Sequence, residues 1–377
     1  MALLRRTMLK LLRDNAYLAV AWLTAAGVFI AEHAFHNALE TVPSALLLAW
    51  LFGVILWGAF TVVHHSEVLA ERLGEPYGTL VLTLSVTIIE VSIITAALLH
   101  AEPADTLVRD TVFAVVMITL NGIAGLCLLL GAIRHGEQEY NLRGAQAFLS
   151  VIIPLTVLAL VLPNFTVSTP GPTLSHFQSG VLAALTIALY GVFLTIQTVH
   201  HRSFFEEAGT TDMASQSSLY EHAGAAHYRT WVHTVLLVLS LLPIIYLAEQ
   251  LAALAREGVA AAGGPEAVVG VMIAVLVLSP EGLGAVYAAM QNRLQRAINI
   301  TLGSALATVS LTIPAVLIIG ILTDRLLTLG LSAEEMVLLF LTIVAAMLTF
   351  GGVRTNVLQG LVQLVLFAVF LALLFDP

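Results

Sequence analysis

Residues 79–99 read TLVLTLSVTIIEVSIITAALL, a run with a single charge, Glu90, near its middle. About 20 residues of α-helix cross the ~30 Å hydrocarbon core of a bilayer, so this run reads as a membrane span. A carboxylate at that depth costs about 2.5 kcal/mol or more on insertion scales. The chain must offset that cost by pairing the acid, protonating it or coordinating it. Glu90 is therefore a functional candidate from the outset.

The rest of the chain has the same character. Of its 377 residues, 59% are hydrophobic and 10% are charged, whereas a soluble domain carries about 25% charged residues. Candidate spans cover 16–34, 44–64, 78–100, 110–132, 146–163, 179–199, 230–250, 266–290, 297–320, 334–352 and 355–375. The pattern predicts an all-α integral membrane protein of about 11 transmembrane helices. The opening MALLRRTMLKLLRDN resembles a signal-peptide n-region. The first span ends in AEHAFHNALE without a small-residue cleavage pattern, so it reads as a retained helix. The single cysteine, Cys127, lies inside the fourth span. It excludes a disulfide within the chain and a cysteine metal cluster.

Lysine and arginine set the orientation. With the N-terminus in the cytoplasm, Arg5, Arg6, Lys10, Arg13, Arg72, Arg134, Arg143, Arg202, Arg229, Arg293, Arg296 and Arg354 fall inside. Only Arg109, Arg256 and Arg325 fall outside. An odd number of spans then places the C-terminus on the outer side of the membrane. The net charge of −9 is spread over connecting loops, and no basic patch suggests a nucleic-acid partner. Membrane lipid and small ions are the expected partners.

Two acids lie deep inside spans, Glu90 in the third and Glu281 in the eighth, where the sequence reads AVLVLSPEGLGAVYAAM (274–290). One such acid could be a structural hydrogen bond between helices. Two, one in each half, point to function. The helix after each acid also matches: MITLNGIAGLCLLLG (117–131) follows Glu90 and NITLGSALATVSLTIP (299–314) follows Glu281. ITLNG and ITLGS alone are a weak match, because Ile, Leu, Gly and Thr are common in spans. Their placement, one helix after each buried acid, strengthens it. The third and eighth spans are an odd number of helices apart, so the copies cross the membrane in opposite directions. Inverted-topology repeats of this kind mark many secondary transporters, with sites near the midplane on broken helices.

Residues 44–199 form the first repeat half and 230–377 the second. Residues 1–43 add an N-terminal segment and an extra helix, and 200–229 form a polar, acidic and histidine-containing linker. Pro280 cannot donate to the carbonyl of Leu276, leaving that oxygen able to face a cation. Gly282 and Gly284 beside Glu281 weaken the helix further, so a helix break is expected around Pro280 and Gly282. Asn121–Gly122 and Gly303–Ser304 place small or polar groups where helices approach closely. Thr83 and Thr87 share the face of Glu90, and Thr301, Ser304, Thr308 and Thr312 form one stripe. Threonine in a span often bonds only its own i−4 carbonyl. A stripe beside a buried acid reads as oxygen ligands for a hard cation.

GEPYGTLVLTLSVTIIEVSIITAALL (74–99) and LSPEGLGAVYAAMQNRLQRAINITLGSALATVSLTIP (278–314) resemble the two repeats of bacterial calcium/proton antiporters. The branch is the ChaA-type group of the cation/calcium exchanger superfamily. RDTVFAVVMITLNGIAGLCLLLG (109–131) and RHGEQEYN (134–141) resemble it too. The resemblance covers most of the chain from about residue 50. It implies alternating access with one acid per repeat, here Glu90 and Glu281, and small polar segments at Asn121–Gly122 and Gly303–Ser304. Many members carry Gly-Asn shortly before each acid. Here those positions read SVTIIE and LSPE. The branch is associated with sodium and potassium as well as calcium.

Two carboxylates can neutralise a divalent cation or each hold a proton. Cation and proton then compete for the same oxygens, which is sufficient for exchange. The expected function is exchange of calcium for protons, with sodium or potassium as further candidates, and no resident cofactor. Glu90 and Glu281 are expected to act as one coupled site. VVHHSE (62–67), TVHHRSFF (198–205) and His135 end spans on the cytoplasmic side and could bind a metal or sense pH. They are also explained as interfacial polar residues. A passive cation channel is the nearer alternative. An intramembrane hydrolase is the more distant one, since no HExxH pair and no GxSxG elbow occurs.

Overall fold

A computed structural model describes residues 16–34, 44–74, 77–99, 106–205 and 230–376. Among the described residues eleven helical rods run in order: α1 Ala16–Ala34, α2 Ser44–Leu73, α3 Tyr77–Leu99, α4 Leu107–His135, α5 Leu142–Leu160, α6 His176–His200, α7 Thr230–Ala261, α8 Ala267–Met290, α9 Leu294–Leu322, α10 Ala333–Thr349 and α11 Val357–Leu373. Each corresponds to one span expected from the sequence. Seven are long and apolar enough to cross a membrane by length and composition, and α1, α3 and α11 contain shorter apolar runs. Residues 1–15 and 206–229, which hold the basic N-terminus and most of the polar linker, lie outside the described residues.

Helix ends follow local chemistry. Ser175 with Gln178, Ser332 with Glu335 and Asn356 with Gln359 form capping boxes that start α6, α10 and α11. Gly136, at φ 76°, ends α4 in a conformation that a side chain would strain. α2 and α7 run past their apolar stretches, to Leu73 and Ala261. Their polar ends, such as HHSEVLAERL, keep helical propensity outside the hydrocarbon.

The chain forms two compact units. The first holds residues 1–97 and 228–263, and the second holds 98–227 and 264–377. The first unit thus holds α1, α2, nearly all of α3, and α7, and the second holds α4–α6 and α8–α11. In the first unit, α2 packs on α7, and α1 on both. Tyr17 of α1 donates from its hydroxyl to Ser240 O of α7, 3.3 Å away, and its ring meets Trp57 of α2 edge-on. Trp22, Leu23, Phe29 and Ile30 of α1 are exposed, as expected of a lipid-facing helix whose backbone groups are satisfied internally.

In the second unit, α4 is the most enclosed span, and Val112 through Met117 are all buried. Two contacts fix directions there. His135, at the end of α4, lies 2.8 Å from Met290 O at the end of α8. Gln138 donates to Ala289 O and Asn292 Oδ1, just before α9 begins. α4 therefore ends where α9 starts, and the ITLNG and ITLGS helices run in opposite directions. The pair α5 and α10 inverts likewise. Asn141, at the start of α5, donates from its backbone to Gln295 Oε1. Tyr140 donates to Thr349 O and Gly352 O, beyond the end of α10. Burial pushes the Tyr140 phenol up to about 12, so it remains a donor at any working pH. A short antiparallel ladder, β1 Gln138–Glu139 with β2 Arg354–Thr355, joins the α4–α5 and α10–α11 connections at this end. Arg354 pairs with Glu139 and Glu137 across it. The opposite end is closed by Leu331 N–H donating to Leu160 O at 2.9 Å and by a bridge between Thr173 and Thr328.

Candidate functional site

Glu90 lies in the first unit, on α3. It is 3% exposed, and Thr87, one turn earlier, is also buried. Ser85 and Ser92 direct their hydroxyls to Val81 O and Ile88 O of their own helix, each at 2.6 Å. This is the back-bonding expected of hydroxyls in a span.

Glu281 lies in the second unit, on α8, half-buried. Ser304 of α9 donates to its Oε2 across 2.5 Å. This is the direct meeting, within the second unit, of two residues singled out from the sequence. A hydroxyl donating to a carboxylate is a charge-assisted bond, stronger than a neutral pair. The break expected at Pro280 is absent: α8 is helical from Ala267 to Met290 with Pro280 inside it. Proline removes one N–H but a helix can continue where neighbours hold it. Gly282 shows how, since a Cβ there would stand 2.9 Å from the Cδ1 of Ile123. Its missing side chain admits α4 directly beside Glu281. Leu276, whose carbonyl lacks the proline donor, is fully buried.

The irregular backbone sits in the partner helices instead. α4 contains a π turn at Ile118–Ile123, and α9 contains one at Thr308–Thr312. Ala124 N–H reaches Thr119 O, and Ile313 N–H reaches Thr308 O, each five residues back. Single π turns inside α-helices recur at functional sites. Thr119 donates to Val115 O and Val116 O, covering carbonyls around the first slip.

The π turn of α4 carries Asn121, which is fully buried. Its amide donates to Thr342 Oγ1 of α10 at 2.9 Å and lies 3.5 Å from the sulfur of Met117. Its Oδ1 has no hydrogen-bond partner among the described residues. Gly122 is a packing position, where an added Cβ would meet the Phe367 ring at 3.4 Å. Gly303 similarly faces Phe148 at 3.8 Å. Thr301 donates to Ala297 O at 2.8 Å and bonds the Cys127 thiol. Thr308 heads the second π turn and is buried. The stripe expected on α9 is thus a mixture of one carboxylate partner, Ser304, one packing hydroxyl, Thr301, and two buried π-turn residues, Thr308 and Thr312. Thr342, Met117 and the π turns carry no periodic signal in the sequence and were not expected.

At the other end of α4, Asp110 is buried and held by Arg109 at 2.7 Å and by Thr106 at 2.8 Å. Glu335 stands 3.8 Å from Arg109. Arg109 and Glu335 border a cavity of about 250 Å³ lined also by Phe113, Glu334 and Phe370. In the first unit, Nδ1 of His65 and Nδ1 of His233 lie 3.2 Å apart, both rings buried. His64, His200 and His201 are exposed. No group of three or more metal-ligating side chains occurs among the described residues.

The sodium/calcium exchanger protein family matches residues 43–199 and 232–375. Protein y4hA of Sinorhizobium fredii is 44% identical over 334 residues, covering 88% of this chain and 89% of its own. The sodium-potassium/proton antiporter ChaA of Escherichia coli is 40% identical over 338 residues, covering 89% and 91%. Among solved structures, that of native YfkE superposes with a TM-score of 0.71 at 20% identity, covering 94% of this chain and 98% of YfkE.

Proposed function

The chain belongs to the sodium/calcium exchanger protein family, and from that premise we propose that it is a secondary transporter that exchanges calcium, sodium or potassium ions for protons by alternating access. The observation that carries the reading is the membrane-embedded Glu281 carboxylate held by Ser304 in the midst of two π-turned helices. Glu281 carries the cation in its ionised form and a proton in its neutral form, and Glu90, the buried acid of the first unit, offers the same chemistry there. A proton and a hard cation compete for the same oxygens. Asn121 Oδ1, Leu276 O and the Thr308 hydroxyl are the further oxygen donors of the second unit, and Thr87 is the one beside Glu90 in the first.

We assign Gly122, Gly303 and Gly282 to close helix approach and Thr301 to helix packing. With the Arg-rich ends of α4, α5 and α9 at the cytoplasmic face, the N-terminus is cytoplasmic and the C-terminus outside. The 40% identity to a sodium-potassium/proton antiporter supports monovalent ions beside calcium.

The test is flux in inverted membrane vesicles under an imposed pH gradient, scanning the three cations. Glu281→Gln is nearly isosteric and cannot ionise. It is expected to keep the fold and abolish exchange for every cation the parent carries. Exchange at the parent rate would refute the assignment.

A further inference from the structure

Two threonines on one face of α10, Thr342 and Thr349, are seven residues apart, about 10 Å along the helix. Each binds the amide of a buried carboxamide from another helix. Thr342 Oγ1 accepts from Asn121 at 2.9 Å, and Thr349 Oγ1 accepts from Gln363 of α11 at 3.1 Å. Asn121 and Gln363 are both fully buried. Asn121 Oδ1 and Gln363 Oε1 are both without a hydrogen-bond partner among the described residues. An unsatisfied buried acceptor is unfavourable, and two of them, one from α4 and one from α11, lie in line along this face of α10.

Packing ties the two carboxamides to one route along α4. A Cβ added at Gly125, one turn after Asn121, would stand 3.1 Å from the Cβ of Gln363. Gly360, one turn before Gln363, would meet Leu129 N of α4 at 2.6 Å. α4 and α11 thus touch backbone to backbone where Gln363 enters. Elsewhere α11 is mostly apolar and outward-facing, with Gly360, Gln363 and Phe370 its buried residues. Thr349 lies at the end of α10 closed by Tyr140 and the β1–β2 ladder, so the Gln363 pair stands between Asn121 and the Arg-rich face.

We propose that Gln363, held by Thr349, is a second oxygen-donor station for a partly dehydrated hard cation moving between the Asn121 level and the Arg-rich face. Thr342 and Thr349 are positioning residues: each occupies the amide nitrogen and leaves the carbonyl oxygen for the ion. The proposal rests on the cation/proton exchange reading. A carbonyl oxygen suits calcium, sodium and potassium alike, so the station sets rate more than choice of ion.

The experiment uses the full chain in inverted vesicles, with calcium, sodium and potassium as probes and thermal midpoints of the purified protein measured alongside. Gln363→Met removes the donor at similar volume. It is expected to slow exchange at least fivefold while the thermal midpoint stays level or rises, because an unsatisfied buried carbonyl has gone. Thr349→Val is expected to slow exchange similarly, and Thr349→Ser to restore it to within twofold. Parent-like rates in Gln363→Met overturn the station and leave the exchange reading intact. So does a Thr349→Ser variant as slow as Thr349→Val, which would mark a packing role and decides the matter if Gln363→Met does not fold. Absence of proton-coupled flux in the parent chain overturns the exchange reading and the station with it.

Discussion

Ser304 Oγ donates to Glu281 Oε2 across 2.5 Å, joining the helix after the second repeat's acid to the acid itself. A hydrogen bond to a charged group contributes about 1.5–3 kcal/mol. Ser304→Ala is therefore expected to raise the cation KM about tenfold or more, with Ser304→Thr staying near the parent. Flux titrations for each cation check it. An unchanged KM in the alanine variant would separate Ser304 from cation binding.

Gly360 and Gly125 let α11 and α4 approach backbone to backbone. A Cβ at Gly360 would sit 2.6 Å from Leu129 N, a main-chain atom that cannot swing aside. Overpacking typically costs about 1–3 kcal/mol. Gly360→Val is expected to lower the thermal midpoint clearly, whereas the same change at Gly53, with nothing within 4 Å of an added Cβ, leaves it within the error of the measurement. Equal midpoints would show that α4 and α11 separate without cost.

His65 of α2 and His233 of α7 face each other through Nδ1 at 3.2 Å, with the rings edge to face. That contact needs one N–H and one bare nitrogen. A second proton would set two N–H groups against each other. Glu67 and Glu71 lie on the other side of α2 and are exposed. Histidine gains its proton below about pH 6.5 in water, so the unfolded chain takes up protons that the buried pair resists. Stability is expected to fall as pH drops below that value. Replacing both histidines by Gln should flatten the fall, and identical pH profiles of thermal midpoint would remove the pair from the account.

The eleven helices were legible because each carries an apolar run bounded by polar or glycine-containing segments. The inversion was legible from ITLNG and ITLGS, and the meeting of α4 and α9 ends at Gln138 and Asn292 bears it out in the second unit. The extra turns of α2 and α7 were missed because charged helix formers continue a helix without hydrophobicity. The π turns were missed for a different reason. A slip of one residue in the hydrogen-bond ladder is decided by neighbours such as Ile123 against Gly282, not by ITLNGI itself. The same packing removed the break expected at Pro280. Thr342, Thr349 and Gln363 were illegible because a lone polar residue in an apolar span reveals its role only once its partner is known.

The last prediction concerns the ends of the chain. In the second unit, the end holding Arg134, Arg143, Arg293 and Arg354 is tied together by His135 with Met290, Gln138 with Asn292, and Arg354 with Glu139. The opposite end holds Arg109 and Arg325, and both are engaged. Arg109 pairs with Asp110, and Arg325 donates to Leu98 O at 2.7 Å. Positive charge retained in short loops marks the cytoplasmic side. We therefore expect the Arg-rich end to be cytoplasmic, so that α11, which starts there beside β2, finishes outside. Counting back through eleven rods places the start of α1 inside. A reporter fused to the C-terminus that fluoresces only in the cytoplasm should stay dark, and a protease added to intact spheroplasts should reach it. The same reporter on the N-terminus should fluoresce and be protected. Both ends on one side would require one rod to lie in the membrane without crossing. α1 is the rod to examine first, because it precedes the two matched halves and its removal leaves α4 and α9 still inverted.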